Sequence, residues 1–275
     1  MTLPDFELRR PETLAEALDL LHELNGEAAF YMGGTELLLA MKYGLAHASV
    51  LVDGKRLGEL QVIEDDEDSL ALGAGLTHLA LESNPIVREV LPSLAGVEAT
   101  LANLRVRAAG TLGGNLCFAE PHSDPATLLI ALGAQVELAS RSGTRRLLPV
   151  EDFVLGPLQT ALAPGEIMTA VRVPRPPAGA RVAFERIRLR ERPVANVAVL
   201  LSAEEARVVV GAVGPRPIRV TDAENLLLSR PDGIEEACAV VAAAVDPYAD
   251  SEGSVEYKRH LASVVTGRAL RRVAA

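Results

Sequence analysis

Ala109-Gly-Thr-Leu-Gly-Gly-Asn-Leu-Cys-Phe-Ala-Glu-Pro-His-Ser-Asp-Pro125 is the stretch from which the rest of this 275-residue chain can be read. Gly110, Gly113 and Gly114 stand among small or hydrogen-bonding side chains, where a missing Cβ lets the backbone turn tightly and approach a ligand. Amides exposed by such a turn form a concave donor site for phosphate oxygens. Ser123-Asp124-Pro125 reads as a helix start, with Asp124 capping free amides and Pro125 suited to the first helical position. Leu128, Leu129, Ala131 and Leu132 carry that helix on. A glycine turn followed closely by a capped helix predicts half of a nucleotide site.

A second glycine turn lies upstream. Ala28–Met32 reads as a short buried strand running into Gly33-Gly34-Thr35, and a helix from Glu36 to Tyr43 ends at Gly44. Neither Met32-Gly-Gly-Thr-Glu-Leu37 nor Gly110-Thr-Leu-Gly-Gly-Asn115 fits G-x-G-x-x-G or the P-loop pattern. Each double glycine alone is either a tight turn or a phosphate site. Two amide nests converging on one pyrophosphate would neutralise it without any lysine.

Around these turns the chain divides into three parts, 1–56, 57–175 and 176–275. The first is a small α/β unit. Thr13-Leu-Ala-Glu16 has capping-box spacing, Leu14, Ala17, Leu18, Leu21 and Leu24 share one helical face, and Ser49–Asp53 is a further strand. The second opens with strands Gln61–Glu64 and Ser69–Gly73 around Asp65-Asp-Glu-Asp68, read as a solvated hairpin turn. Helical segments are expected over 77–82 and 86–103, then a hairpin of Gln135–Ala139 with Thr144–Pro149, and a strand over Glu166–Val173. Arg175-Pro-Pro-Ala-Gly179 is the clearest linker. Beyond it, strands Arg181–Leu189, Asn196–Ser202 and Arg207–Val213 precede helices Thr221–Leu228, Gly233–Ala244 and Val255–Val273, which predicts an α+β unit whose sheet is covered on one face.

Composition excludes several classes. Net charge is −10 with no basic block, against a nucleic-acid surface. No apolar run reaches membrane-spanning length, and the N-terminus lacks a signal-peptide pattern, so a cytoplasmic protein is expected. The two cysteines, Cys117 and Cys238, are too few to ligate an iron–sulfur cluster or a Cys-type zinc site, and His22, His47, His78 and His260 have no ligand spacing; no metal is expected on this chain.

The polar side chains near the central stretch carry no catalytic constellation. His122 and Asp124 are too close in one turn for triad geometry, and no G-x-S-x-G elbow exists. Cys117 either faces a ligand or fills space as a small buried residue. Arg188, Arg190 and Arg192 alternate on an expected strand as a solvated or inter-subunit face. Residues alone thus predict an α/β protein holding a diphosphate-containing cofactor between two lobes, with no catalytic residue of its own.

With both turns in hand, the chain resembles the FAD-binding medium subunit of the molybdenum hydroxylases, the carbon monoxide dehydrogenase and xanthine dehydrogenase family. Met32-Gly-Gly-Thr-Glu-Leu37 is similar to the family's first pyrophosphate loop, and Gly110–Pro125 resembles the carbon monoxide dehydrogenase-like branch. Val210-Gly-Ala-Val-Gly-Pro-Arg-Pro-Ile-Arg219, Ser254-Val-Glu-Tyr-Lys-Arg259 and Arg268-Ala-Leu270 extend the likeness over nearly the whole chain. The resemblance implies a two-lobed FAD-binding domain of the vanillyl-alcohol-oxidase type followed by a C-terminal α+β domain. It implies FAD held by Met32, Gly33, Gly34, Thr35, Glu36 and Leu37 together with Gly110, Thr111, Gly113, Gly114, Asn115 and Ser123. Asp124 would bond flavin-side atoms, with Ile167 and Met168 packed near the ring. The sequence departs from the family pattern at Met32, where Ala is common, at Glu36, where Asp or Ser is, and at Pro193, where an Asp is usual.

The same resemblance implies partners: a large molybdenum-binding subunit that oxidises the substrate, a small [2Fe-2S] subunit, and an external electron acceptor, in a heterotrimeric oxidoreductase. Two rival readings are a free-standing FAD-dependent oxidoreductase and a non-redox nucleotide-binding scaffold whose glycine turns are only structural.

Overall fold

A computed structural model describes residues 2–189 and 191–275. The first sheet is parallel, built from β1 (Glu7–Arg9), β2 (Ala28–Tyr31) and β3 (Val50–Asp53) in the order β1-β3-β2, with α1 (Leu14–Glu23) and α2 (Leu37–Lys42) in the connections. Thr13 Oγ1 accepts from the Glu16 amide at 3.1 Å, so the α1 N-cap forms as its spacing predicts, whereas the Glu16 carboxylate accepts from Glu12 N at 2.8 Å, one residue before the cap. Leu14, Ala17 and Leu18 of that helix pack with Val52, Leu57 and Leu60. β1 has no counterpart in the sequence reading, because an exposed three-residue edge strand carries no alternation; its pairing to β3 creates it.

The middle unit contains β4 (Ile63–Asp65) and β5 (Ser69–Gly73), then α3 (His78–Ser83), α4 (Pro85–Val90), α5 (Pro92–Ala99), α6 (Leu104–Ala109), α7 (Leu112–Phe118) and α8 (Asp124–Ala131). β6 (Gln135–Ala139), β7 (Arg145–Pro149), α9 (Val150–Phe153), β8 (Val154–Gly156), β9 (Gln159–Thr160) and β10 (Ile167–Pro174) follow. Its sheet is antiparallel in the order β4-β5-β10-β6-β7. The single helix expected over 86–103 is two helices. Pro92 has no amide to donate, so α4 ends at Val90 and α5 starts afresh.

The last unit has β11 (Arg181–Arg188), β12 (Pro193–Leu201), β13 (Ala206–Gly211) and β14 (Ile218–Arg219) in that spatial order, antiparallel, with α10 (Thr221–Ser229), α11 (Ile234–Ala244) and α12 (Val255–Ala274). One face is covered by these helices, as the sequence predicts; the other is covered too. Val197 and Val199 belong to the core beneath the C-terminal helices, whereas Ala198, Leu200 and Val209 join the core of the middle unit. The period-2 alternation of a strand thus serves two cores at once, and α8 is the element pressed on the second face. That helix begins in the 109–125 stretch, so the third sheet is fixed directly to it.

Candidate functional site

Thr111, not a glycine turn, organises the central stretch. Its Oγ1 accepts from the Gly114 amide at 3.1 Å and caps α7, so Gly113 and Gly114 lie in the first turn of a helix. The expected second amide nest therefore does not form. Leu112 N donates to Leu76 O at 3.0 Å, Gly113 N to Ala74 O at 2.9 Å and Asn115 N to Thr111 O at 2.9 Å. Gly113 is required for another reason: a Cβ there would stand 2.6 Å from Ala74 Cβ.

The upstream loop differs. Among the described residues, no hydrogen bond uses the amides of Gly33, Gly34, Thr35, Glu36 or Leu37. Five successive free donors make the polar half of a cradle. Gly33 lies so close to the Ala109 carbonyl and Gly110 Cα that a Cβ would collide with both. The two glycine tracts thus touch backbone to backbone, one supplying donors and the other shape.

Together they border a cavity of about 700 Å³. All fifteen residues expected from the sequence line it: 32–37, Gly110, Thr111, 113–115, Ser123, Asp124, Ile167 and Met168. Ser123 Oγ, and not the Asp124 carboxylate, caps α8, accepting from Ala126 N at 3.2 Å while donating to Asn115 Oδ1 at 2.6 Å. Asn115 Nδ2 is left with no acceptor among the described residues. Asp124 is 1% exposed, and protein groups already engage its carboxylate. Asn196 Nδ2 donates to its Oδ1 at 2.8 Å, Arg186 pairs with its Oδ2, and Arg188 lies 3.6 Å away.

Several lining residues were read otherwise or missed in the sequence. Arg188 and Arg192 are exposed, as expected of a solvated face, and they also border the cavity; Arg190 lies outside the described residues. Arg188 donates to Thr100 O at 2.7 Å, and Arg192 sits 2.6 Å from Glu120 and 3.3 Å from Glu36. Burial raises the Glu36 carboxyl above its usual range, with Arg192 opposing and Glu120 adding. His122 Nδ1 is 2.7 Å from Glu120 Oε1, and its Nε2 is 3.7 Å from Glu252. Pro193 opens β12 just after a register shift between Ile187 and Arg188, buried at the cavity wall. Burial pushes the Cys117 thiol up to about 12, which keeps it protonated. His78 lines the cavity as well; its only local sequence signal is the Thr77 cap before it.

An amide-lined cavity bordered by a small parallel sheet, a larger antiparallel one and the start of a third makes a site for an anionic ligand of nucleotide size. The family described as the FAD binding domain in molybdopterin dehydrogenase matches residues 4–176, and the CO dehydrogenase flavoprotein C-terminal domain matches 190–273. The chain belongs to this family: it is a FAD-binding subunit of the molybdenum hydroxylase type, the flavoprotein part of an oxidoreductase. It is 32% identical to the caffeine dehydrogenase subunit beta of a Pseudomonas species, covering 98% of this chain and 95% of that one. Identity to the carbon monoxide dehydrogenase medium chain of Afipia carboxidovorans is 31%, covering 98% and 97%. A solved carbon monoxide dehydrogenase from Hydrogenophaga pseudoflava superposes with a TM-score of 0.95 at 32% identity, covering 100% and 99%.

The residues present fit FAD. The free amides of 33–37 suit an anionic pyrophosphate, the Gly33–Gly110 approach leaves no room for side chains at the cradle, and Ile167 and Met168 add an apolar wall. No described helix is long and apolar enough to cross a membrane.

Proposed function

We propose that this chain passes electrons from the iron–sulfur clusters of a small partner subunit, through FAD, to an external acceptor, in a cytoplasmic complex whose large subunit holds the molybdenum and oxidises the substrate. The carrying observation is the run of amides from Gly33 to Leu37, unbonded among the described residues, on a loop that abuts the Gly110 backbone at Gly33 and borders one cavity. Bound FAD would supply reversible redox chemistry, and the protein would supply position, electrostatics and access. The three sheets would serve as lobes 1–56, 57–175 and 176–275, the first two clamping the cofactor and the third closing over it.

Within that reading, the loop amides hold the pyrophosphate, and Asn115 Nδ2 adds a side-chain donor. Asp124, already shared by Asn196 and Arg186, holds the α8 start in place beside the ring. Cys117 stays a neutral thiol and provides no competing nucleophile. Two cysteines cannot ligate a [2Fe-2S] centre, which supports placing the clusters on another chain.

The test is a visible spectrum of the full chain after incubation with FAD and desalting. Retained flavin bands, with no bleaching by candidate substrates until the partner subunits are added, are expected. Absence of flavin bands would sink the cofactor reading. Bleaching by the isolated chain would favour the free-standing oxidoreductase.

A further inference from the structure

Behind the first glycine loop sits a pair of polar side chains that the cradle described above does not use. Glu98, on α5, is fully buried, and His78, the first residue of α3, is 3% exposed. His78 Nδ1 and Glu98 Oε2 are 2.6 Å apart, and Glu98 Oε1 has no hydrogen-bond partner. A buried carboxylate is costly unless paired, and the imidazole is the group that pairs with it.

The contact with Glu98 occupies one ring nitrogen and leaves the other for a ligand. The free edge points to the cradle. A Cβ built on Gly110 would lie 3.1 Å from His78 Cδ2, the carbon bonded to Nε2, and 3.3 Å from Thr35 Oγ1. The His78 amide donates to Gly110 O at 3.1 Å, so the ring is registered to the same backbone that Gly33 touches. His78 lines the cavity, and Nε2 has no hydrogen-bond partner among the described residues.

We propose that His78, oriented by Glu98, is a positioning contact for the pyrophosphate of FAD at the 33–37 loop. The proposal rests on the FAD reading above. Glu98 holds Nδ1, which leaves Nε2 as the ring atom set to meet a phosphate oxygen. The cradle then contains an imidazole contact in addition to its backbone amides and Asn115 Nδ2.

Removing His78 alone would strand the Glu98 carboxylate and could unfold the site, so two variants are needed. In His78→Leu/Glu98→Leu the pair is replaced by apolar groups; in His78→Gln the side-chain amide can still reach where Nε2 stood. With full-length protein, FAD and ADP affinities are measured by equilibrium dialysis, folding by circular dichroism, and bound FAD by ³¹P NMR. The expected result is a folded double variant that binds both FAD and ADP on the order of tenfold more weakly, with shifted pyrophosphate resonances, and partial recovery in His78→Gln. Unchanged FAD affinity in the double variant, or weakening for FAD but not ADP, overturns the pyrophosphate contact alone. Should the double variant fail to fold, NMR spectra of ¹⁵N-histidine-labelled wild-type protein in which the His78 ring resonances do not move on adding ADP overturn it equally. Wild-type protein that binds neither nucleotide overturns the cofactor reading itself.

Discussion

Asn196 in β12 donates its Nδ2 to Asp124 Oδ1 at 2.8 Å, and its Oδ1 accepts from Thr127 Oγ1 at 2.9 Å. One fully buried amide therefore joins the third sheet to two residues of α8, the helix that starts in the cofactor stretch. Gly211 on the neighbouring strand makes room for it: a Cβ there would collide with Thr127 Oγ1 and Asn196 Oδ1. Asn196→Ala leaves Asp124 one bond short and Thr127 without its side-chain acceptor. The expected loss is about 2–4 kcal/mol, since buried polar groups are stranded and not merely exposed. Urea unfolding followed by circular dichroism measures it; a change below about 1 kcal/mol, the scale of an ordinary surface substitution, would refute the linking role.

Glycines of similar appearance should behave differently. Gly33→Ala drives a Cβ into the Ala109 carbonyl, moving the donor loop off the cradle, so FAD affinity is expected to fall at least tenfold, about 1.4 kcal/mol. Gly113→Ala meets Ala74 in the core and should lower stability by about 1–3 kcal/mol. Gly44 has φ +73 with open space around it, so Gly44→Ala should cost about 1 kcal/mol of backbone strain and leave FAD affinity unchanged. Parallel titrations of the three variants separate the roles; equal FAD affinity for Gly33→Ala and Gly44→Ala would contradict the cradle.

The His122 cluster predicts a pH dependence. The hydrogen bond to Glu120 raises His122 above its ordinary value; burial opposes this, the charges of Glu120 and Glu252 add to it, and Arg192 works against it. Burial pushes Glu120 up, but His122 and Arg192 outweigh it and hold that carboxyl below its usual range. A raised histidine contributes stability that is complete below its unfolded value near 6.5 and is lost as pH climbs through the folded one. The lowered Glu120 contributes above the ordinary carboxylate value and loses its share as pH falls through its folded one. Thermal midpoints should therefore decline from about pH 6.5 upward, and His122→Gln should flatten that decline. Parallel curves for wild type and variant would show that the cluster does not couple to folding.

The paired glycine tracts put every expected cofactor residue at one cavity, because close approach of two backbones demands glycine at fixed positions, and that demand is local. What the residues do there was less legible. Free amides at 33–37 and spent amides at 112–115 depend on whether Leu76 and Ala74 lie opposite, a tertiary fact with no sequence period. Asp124 before Pro125 looks like a cap, yet Ser123 caps and Asp124 binds Asn196, 72 positions away. The His78–Glu98 pair is likewise invisible, since each residue alone fits an ordinary helix. Covering of the third sheet on both faces came from α8, an element outside that unit.

Cys117 offers a direct check on the chemistry of the cavity wall. It borders the cavity and is partly exposed, which on geometry alone would make it available to a small alkylating reagent. Reactivity follows the thiolate and not the thiol. With its thiol pushed up to about 12 by burial, Cys117 at pH 8 holds roughly one thiolate in ten thousand, against about one in four for an ordinary cysteine near 8.5. Cys238 is buried and also raised, by desolvation first and by Glu235 next. Iodoacetamide at pH 8 should therefore modify Cys117 about a thousandfold more slowly in the folded chain than in urea. Peptide mass spectrometry after timed quenching reads the two rates. Labelling of folded Cys117 at the rate of the denatured chain would mean that the wall around it is wetter and more polar than the packing of α7 against β10 implies.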